Sequence, residues 1–521
     1  MLQELYDLIR SQASAWRITS EVIFDTCAIL IILNRLYVTA SIYRNRPRNI
    51  LISGPRLRWG KWWSSIKYVF NAPDIIQNAY NQAKGEPFAI PALDEYQVFV
   101  SSEQYIAEVN ESSQDHLSLH DAMEDRVKSR YTFYGFEQGS IDPHDTVPGR
   151  VLKFLLRTNQ PALRPKIQKK IEEAFFQVLS KGKAVNDWTS VSVLGLSEAI
   201  GLRINCQVLV GDELANDQDY VDAVLRYSND VIISMEFCRY MPAFIVPYAC
   251  PAIMAWSGAM KKLATRIRPL VIHRLRDIEE KKTLPSDCIT WVIESSTTPR
   301  QRTVERIVQQ MIALTFASAH QLPLVLTFTV YNLCLHPEYI EPLTEEIRTM
   351  LSLSEDKQYK NMPLMESFLR ESARMNPLDA LSIQRKVMKP FTFTSGQTIP
   401  TGNIIAVPQD ALMKSPRYYN DPETFDGFRF VLPEDRGREE PRMKYTDVSS
   451  GFPFWGASKK ACPGRWYVSA SLKQILAHLL TNYEFKLAED NKKLTMGYTT
   501  MVIPRHGTRV LLRKLKKSGW R

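Results

Sequence analysis

No two cysteines in this 521-residue chain stand close enough to form a C-x-x-C clip. The seven lie at positions 27, 206, 238, 250, 288, 334 and 462, a scattered and odd set. That argues against a disulfide scaffold and a structural zinc site. Glycine is scarce at 21 residues against 30 prolines, which disfavours glycine-loop and β-repeat architectures. No internal repeat or low-complexity linker follows residue 55. There is also no dense Lys/Arg cluster interleaved with aromatics and no nucleic-acid motif. Lysine plus arginine (66) nevertheless exceeds aspartate plus glutamate (56), for a net charge of +10. With nucleic acid set aside, such a surplus suits anionic lipid or an acidic protein partner. The basic residues gather at 44–67, 459–465 and 513–521. A composition of 45% hydrophobic and 23% charged residues excludes a disordered chain and a coiled-coil rod.

What is present is mostly helical periodicity. Amphipathic stretches run at 161–181, 217–236, 254–282, 301–335, 338–353, 362–375 and 463–482. Short β-like runs cover 96–100, 391–394, 404–407, 483–487 and 510–512. The turns Ser395-Gly396 and Thr401-Gly402 predict a small hairpin from the 391–394 and 404–407 runs. The fold class expected is one large, mainly α domain with a small β region. The nearly uncharged stretch 311–335 is long enough to cross a membrane, but charged helices flank it on both sides. It is expected to be the central helix of a soluble core.

Residues 1–48 are expected to form an N-terminal membrane-anchor segment, with the catalytic domain at 49–521. Residues 23–42 are the candidate span, although Asp25, Asn34 and Arg35 interrupt them. Upstream, Leu2, Leu5, Ile9, Ala13 and Trp16 recur at helical spacing, as in an interfacial helix. Arg44, Arg46 and Arg48 follow, and the positive-inside rule then keeps the bulk of the chain cytosolic.

The most informative stretch is Phe454-Trp-Gly-Ala-Ser-Lys-Lys-Ala-Cys462-Pro-Gly-Arg465. An irregular loop ends at Cys462 and a helix is expected to begin with Pro463 at its first position. Leu472, Ile475, Leu476, Leu479 and Leu480 give that helix an apolar face. A cysteine at a helix N-terminus meets free N–H donors and the positive end of the dipole, with Lys459, Lys460 and Arg465 adding charge. These favour thiolate, hence a nucleophile or a metal ligand. An isolated cysteine is otherwise a small buried apolar residue.

This loop resembles that of the haem-thiolate monooxygenases, the cytochromes P-450, which runs Phe-Gly-x-Gly-x-(Arg or His)-x-Cys-x-Gly. Gly456, Cys462 and Gly464 match it, whereas Trp455, Ser458 and Lys460 depart from it. Further motifs follow the family's order. Glu371-Ser-Ala-Arg374 matches Glu-x-x-Arg, and i,i+3 residues share a helix face. The segment from Asp421 to Phe430 resembles the one that supplies the third member of that charge network, Arg429. Arg385, ahead of Ile399-Pro-Thr-Gly402, stands where the family pairs an arginine with a haem propionate. The resemblance spans roughly residues 50–515 and is greatest to fungal microsomal members of secondary metabolism.

By that resemblance Cys462 is the axial ligand of haem b iron, with Arg385, Lys460, Gly456 and Trp455 contacting or shaping the cofactor site. Glu371, Arg374 and Arg429 would form a buried triad that locks the loop. The family's oxygen-activating stretch, Ala-Gly-x-(Asp or Glu)-Thr, aligns with Ala317, Ser318, Ala319, His320 and Gln321. His320 can relay protons, whereas Gln321 at the alcohol position holds water but relays poorly. Pro323 frees the carbonyl of Ala319. The resemblance further implies a NADPH-dependent flavoprotein reductase as electron donor, an apolar small-molecule substrate such as a terpenoid, alkaloid or polyketide, and the endoplasmic-reticulum membrane. Residues around Phe316, 378–383 and 498–503 would line the substrate pocket. Gln321 motivates a rival, a haem-thiolate enzyme of rearrangement, dehydration or isomerisation without net oxygen insertion. Ser458, Lys460 and Gln321 motivate a second, a non-catalytic haem-binding or scaffold protein.

Overall fold

The computed structural model describes residues 33, 36, 40 and 44–515, other than 55–57, 93–94, 138–146, 240, 354–358, 360, 432–442 and 490–493. Apart from the exposed helical Leu33, Leu36 and Ala40, the expected anchor helix at 23–42 lies outside the described residues. The chain is 58% helical with a small β region.

The helices that position the site are α1 (Arg58–Ala83), α2 (Leu119–Val127), α3 (Arg157–Ser180), α4 (Val193–Ala215), α5 (Gln218–Arg239), α6 (Val246–Trp256), α7 (Ala259–Glu279), α8 (Val304–Ala319), α9 (Gln321–Leu335), α10 (Ile340–Leu351), α11 (Pro363–Met375) and α12 (Arg465–Asn482). Two of the longest stretches read from periodicity are interrupted, and a third starts later than expected. The run at 254–282 breaks at Gly258, whose φ of 67° is a left-handed conformation that glycine tolerates and that separates α6 from α7. The run at 301–335 breaks at His320, between α8 and α9. Helix α12 starts at Arg465 with Gly464 as its cap, so Pro463 sits in the turn before it and not at its first position.

Helix α4 is apolar on nearly every face, and most of its residues are buried. Its start is fixed by the Ser192 hydroxyl, which accepts from the Gly195 N–H at 3.1 Å. Helices α4, α8 and α9 pack together at the centre of the largest core cluster. The stretch 311–335 is therefore a core helix, as its flanking charges imply. Helix α11 follows Met362 and opens on Pro363. Its free Leu364 and Met365 N–H groups donate to the Glu346 carboxylate of α10 at 2.8 and 2.9 Å.

Two sheets flank this helical mass. The larger has the strand order β1-β2-β3-β10-β7-β4, from β1 (Leu51–Ile52), β2 (Phe88–Pro91), β3 (Tyr96–Phe99), β4 (Leu117–Ser118), β7 (Ser382–Val387) and β10 (Ile404–Val407). The smaller is β11-β14-β6-β5, from β5 (Lys183–Val185), β6 (Trp188–Ser192), β11 (Tyr483–Leu487) and β14 (Arg509–Lys514). The hairpin expected between 391–394 and 404–407 is not formed. Strand β8 (Phe391–Thr392) pairs instead with β9 (Thr398–Ile399), because the tight turn at Ser395-Gly396 closes after five residues. Strand β10, buried at every position, belongs inside the large sheet between β3 and β7. A last hairpin joins β12 (Thr495–Tyr498) to β13 (Met501–Pro504).

Candidate functional site: the Cys462 loop and the broken central helix

The loop ahead of Cys462 is held by its own backbone. Pro453–Trp455 makes one helical turn, and Gly456 then adopts φ 84°, ψ −151°, a region closed to side-chain-bearing residues. The Cys462 N–H returns to the Trp455 carbonyl at 2.7 Å. The Trp455 indole N–H donates to the Tyr445 carbonyl at 2.7 Å, and its ring packs edge-on against Tyr445 and Phe454. Arg465 donates to the carbonyls of Cys462 (2.7 Å) and Thr446 (3.1 Å) and stacks on Trp466 at 3.6 Å. Ser458, where the resembled pattern has glycine, holds φ 53°. It adopts the left-handed conformation that glycine would adopt without steric cost.

The Cys462 sulfur packs against the main core while its residue keeps partial solvent access. Burial pushes its thiol up. The Gly464 and Arg465 N–H groups and the Arg465 charge oppose that shift. These are the stabilising donors expected for sulfur at a helix start, here the cap and first residue of α12.

Behind the loop, α11 carries Glu371 and Arg374, both fully buried. Arg374 Nε and Nη2 meet the two oxygens of Glu371 at 2.7 and 2.8 Å. Arg429 Nε adds a third contact to Glu371 at 3.1 Å. The remaining Arg374 donors go to the carbonyls of Met413 and Pro422 at 2.7 and 2.6 Å. A second buried pair was not anticipated from the motifs. Lys473 Nζ of α12 meets Glu366 of α11 at 2.5 Å, and Glu366 also accepts from the Tyr445 N–H. Helix periodicity marked both residues as polar on an apolar face, which is the signal that was there to find.

Arg385 in β7 is 2% exposed, yet among the described residues no carboxylate pairs with it. Its Nη1 reaches the Gln384 carbonyl at 2.8 Å and its Nε has no partner. Burial alone pulls its pKa down to about 10. Lys460 faces it closely enough to have its own pKa lowered by burial and then by the Arg385 charge. A buried guanidinium with an orphaned donor, and a half-buried lysine near enough to feel its charge, fit an anionic group placed against the Cys462 loop. A haem propionate is such a group. Lys460 gives one donor to the Ser112 carbonyl at 3.4 Å, and Arg465 turns to the carbonyls of Thr446 and Cys462. Both residues keep partial solvent access, and the side chain of Lys459 lies outside the described residues.

Above the site the central helix is interrupted. Ala317 and Gln321, one turn apart on one face, are exposed although α8 and α9 run through the core. This is the face open to a ligand. His320 points elsewhere, towards the Ser228 carbonyl of α5, and burial lowers its pKa. Its Nε2 has no partner among the described residues. Phe316 packs on Phe133 with ring centroids 5.4 Å apart. The segments 378–383 and 498–503 meet through Ala380 N–H to Thr500 O (2.6 Å) and Val502 N–H to Leu378 O (3.1 Å). They are not wholly apolar, because Asp379 is paired with Arg126 of α2 at 2.9 Å.

Comparison with known proteins decides the family. The profile described as Cytochrome P450 matches residues 151–512. The chain belongs to the cytochrome P450 family. It is 25% identical over 507 residues to the cytochrome P450 monooxygenase olcJ of Penicillium canescens, covering 94% of this chain and 93% of that one. It is 26% identical over 462 residues to ent-kaurene oxidase P450-4 of Gibberella fujikuroi, covering 87% and 90%. Among solved structures, the cytochrome P450DA haem domain superposes with a TM-score of 0.69 at 13% identity, covering 90% of this chain and 98% of that one. As a P450 the protein is an oxidoreductase of the monooxygenase type. It uses a haem whose iron takes a cysteine thiolate, a redox partner and a small-molecule substrate.

Proposed function

We propose that this chain is a haem-thiolate monooxygenase in which Cys462 ligates the iron. Arg385 and Lys460 would hold the haem's carboxylates, and Gly456 and Trp455 would shape the ligand loop. The observation that carries this reading is the buried Arg385 guanidinium. It lacks an anion of its own and lies beside Lys460, two residues from Cys462. When bound, the haem supplies oxygen activation, and an axial thiolate favours O–O cleavage. The protein's part is to hold substrate against the open Ala317–Gln321 face, to exclude water with the Phe133–Phe316 pair, and to move protons past the helix break. There Gln321 would orient water and the neutral His320 imidazole would accept or pass a proton. The Glu371–Arg374–Arg429 network would lock the loop from behind.

The substrate class that fits is an apolar small molecule of secondary metabolism. Its pocket would be walled by Phe316 and the joined segments 378–383 and 498–503, with the Arg126–Asp379 pair at one edge. Electrons would come from NADPH through a flavoprotein reductase. Residues 1–48 would anchor the enzyme to the endoplasmic-reticulum membrane, with the catalytic domain cytosolic. The carbon-monoxide difference spectrum of the reduced protein tests the haem-thiolate reading. The reading expects a thiolate-type band, and a protein that purifies folded without haem and cannot be loaded with it contradicts the reading.

Gln321 favours one second reading, a rearrangement or dehydration at the same haem without net oxygen insertion. A side chain that relays protons poorly occupies the open face, while His320 is turned towards α5. Oxygen and NADPH consumed per product separate the two. Equimolar consumption supports the monooxygenase, and product without either supports the second reading.

A further inference from the structure

A hydrogen-bonded chain crosses the molecule from the helix that follows Cys462 to the break in the central helix. Tyr467, in the first turn of α12, donates its hydroxyl to Asn205 Oδ1 at 2.8 Å. Asn205, on α4, donates from Nδ2 to the Ser318 carbonyl at 2.7 Å. Tyr467 is 8% and Asn205 3% exposed, so water does not compete for these bonds. The hydroxyl has a directional effect. By occupying Oδ1 it fixes the amide's orientation, so that N–H and not C=O faces Ser318.

In an unbroken helix the Ser318 carbonyl would accept from the Leu322 N–H, four residues on. Here a side chain from another helix also donates to that carbonyl and competes for its lone pairs. One residue later Pro323 has no N–H to offer the Ala319 carbonyl. Helix α8 ends at Ala319 and α9 starts at Gln321, so the Asn205 contact and the missing Pro323 donor both fall at the break. Proline and an inserted side-chain donor are both recognised causes of a kink.

We infer that Asn205, oriented by Tyr467, is a positioning residue that holds the central helix open at 318–321. It thereby ties the geometry of the oxygen-side break to the helix that carries the thiolate loop. This rests on the haem-thiolate reading for its catalytic meaning, but the link itself is a property of the polypeptide. The pair sets the orientation of the open Ala317–Gln321 face relative to Cys462.

The experiment compares the parent holoenzyme with Asn205→Ala, Asn205→Asp and Tyr467→Phe by amide hydrogen exchange and by infrared spectroscopy of the reduced carbon-monoxide complex. Asn205→Asp keeps the acceptor for Tyr467 but loses the donor to Ser318, so it should behave like Asn205→Ala. Freed of Asn205, the Ser318 carbonyl is left to the Leu322 N–H alone. Peptides covering 317–325 should then exchange about threefold or more slowly, the size expected for one backbone bond no longer shared. Tyr467→Phe should move in the same direction with a smaller effect. The C–O stretch should shift in all three variants while the visible carbon-monoxide band, which reports the thiolate side, stays in place. Loss of packing alone predicts the opposite sign, faster exchange at 317–325 together with α4 and α12. That result, or an unmoved C–O stretch in both Asn205→Ala and Tyr467→Phe, overturns the inference. Should Asn205→Ala fail to fold, Tyr467→Phe, which removes one oxygen, carries the test. A parent that shows no carbon-monoxide band defeats the haem reading, and the exchange measurement still decides the link.

Discussion

Arg374 and Glu371 meet through two parallel contacts, 2.7 and 2.8 Å long, with both side chains fully buried. Bidentate geometry and the carbonyls around Arg374 satisfy both charges where water cannot. The pair lies on α11 and the segment 413–429 wraps around it, so this one contact connects the helical core to the chain leading into the Cys462 loop. Removing Glu371 leaves the buried Arg374 charge unpaired, and removing Arg374 leaves Glu371 with Arg429 as its one cation among the described residues, a loss of ~3–5 kcal/mol. That is a large share of the about 5–15 kcal/mol that stabilises a whole domain. Glu371→Ala and Arg374→Ala should each yield little soluble, haem-loaded protein, measured as haem per polypeptide after purification. Normal yield and occupancy would make the pair dispensable.

Ser458 supplies a milder test of the same loop. A residue with a Cβ pays ~1–2 kcal/mol in the left-handed region, and glycine returns part of this through its greater unfolded-state freedom. Ser458→Gly should therefore stabilise the folded protein by about 0.5–1 kcal/mol, seen as a small rise in Tm. A clear fall in Tm would show that the Ser458 side chain has a role that its backbone geometry does not reveal.

Arg385→Ala should lower haem retention, because it removes the buried cation proposed to face a carboxylate. Arg385→Lys should recover part of that retention, since a point charge remains while the planar fork is lost. The check is the rate of haem transfer from each variant to an excess of apomyoglobin. Equal rates in parent and Arg385→Ala would separate Arg385 from the cofactor.

His320 carries the pH prediction. Burial lowers its folded pKa below the ordinary 6.5, so the folded state binds fewer protons than the unfolded state near that value. Stability from the neutral imidazole is present above pH 6.5 and is lost as pH falls through the lower folded pKa. His320→Gln should flatten the fall of Tm as the pH drops below about 6.5. An unchanged slope would mean that the imidazole titrates freely.

The charge triad and the cysteine loop were legible because each is a local motif of fixed spacing. The strong apolar periodicity of α11 and α12 marked the helices that carry or follow them. Other features resist local reading. Helix α4 is apolar all round, so periodicity does not announce it, and Asn205 on it was invisible for the same reason. The β5–β6 hairpin is signalled only by Asn186-Asp187, with Asn186 at φ 54°. The interruption at His320 could be anticipated from Pro323. The capture of Ser318 by a residue 113 positions away could not. The misassigned hairpin at 391–407 shows the limit in another way. Strand β10 pairs with β3, some 300 residues earlier, and turn residues say nothing about such a partner.

The most direct test of the whole account is the carbon-monoxide difference spectrum of the reduced Cys462→Ala variant beside its parent. The account predicts a thiolate-type band in the parent and its loss in the variant, whether or not haem is still bound. An unchanged band in a folded, haem-containing Cys462→Ala protein would contradict it, because another residue would then be the ligand.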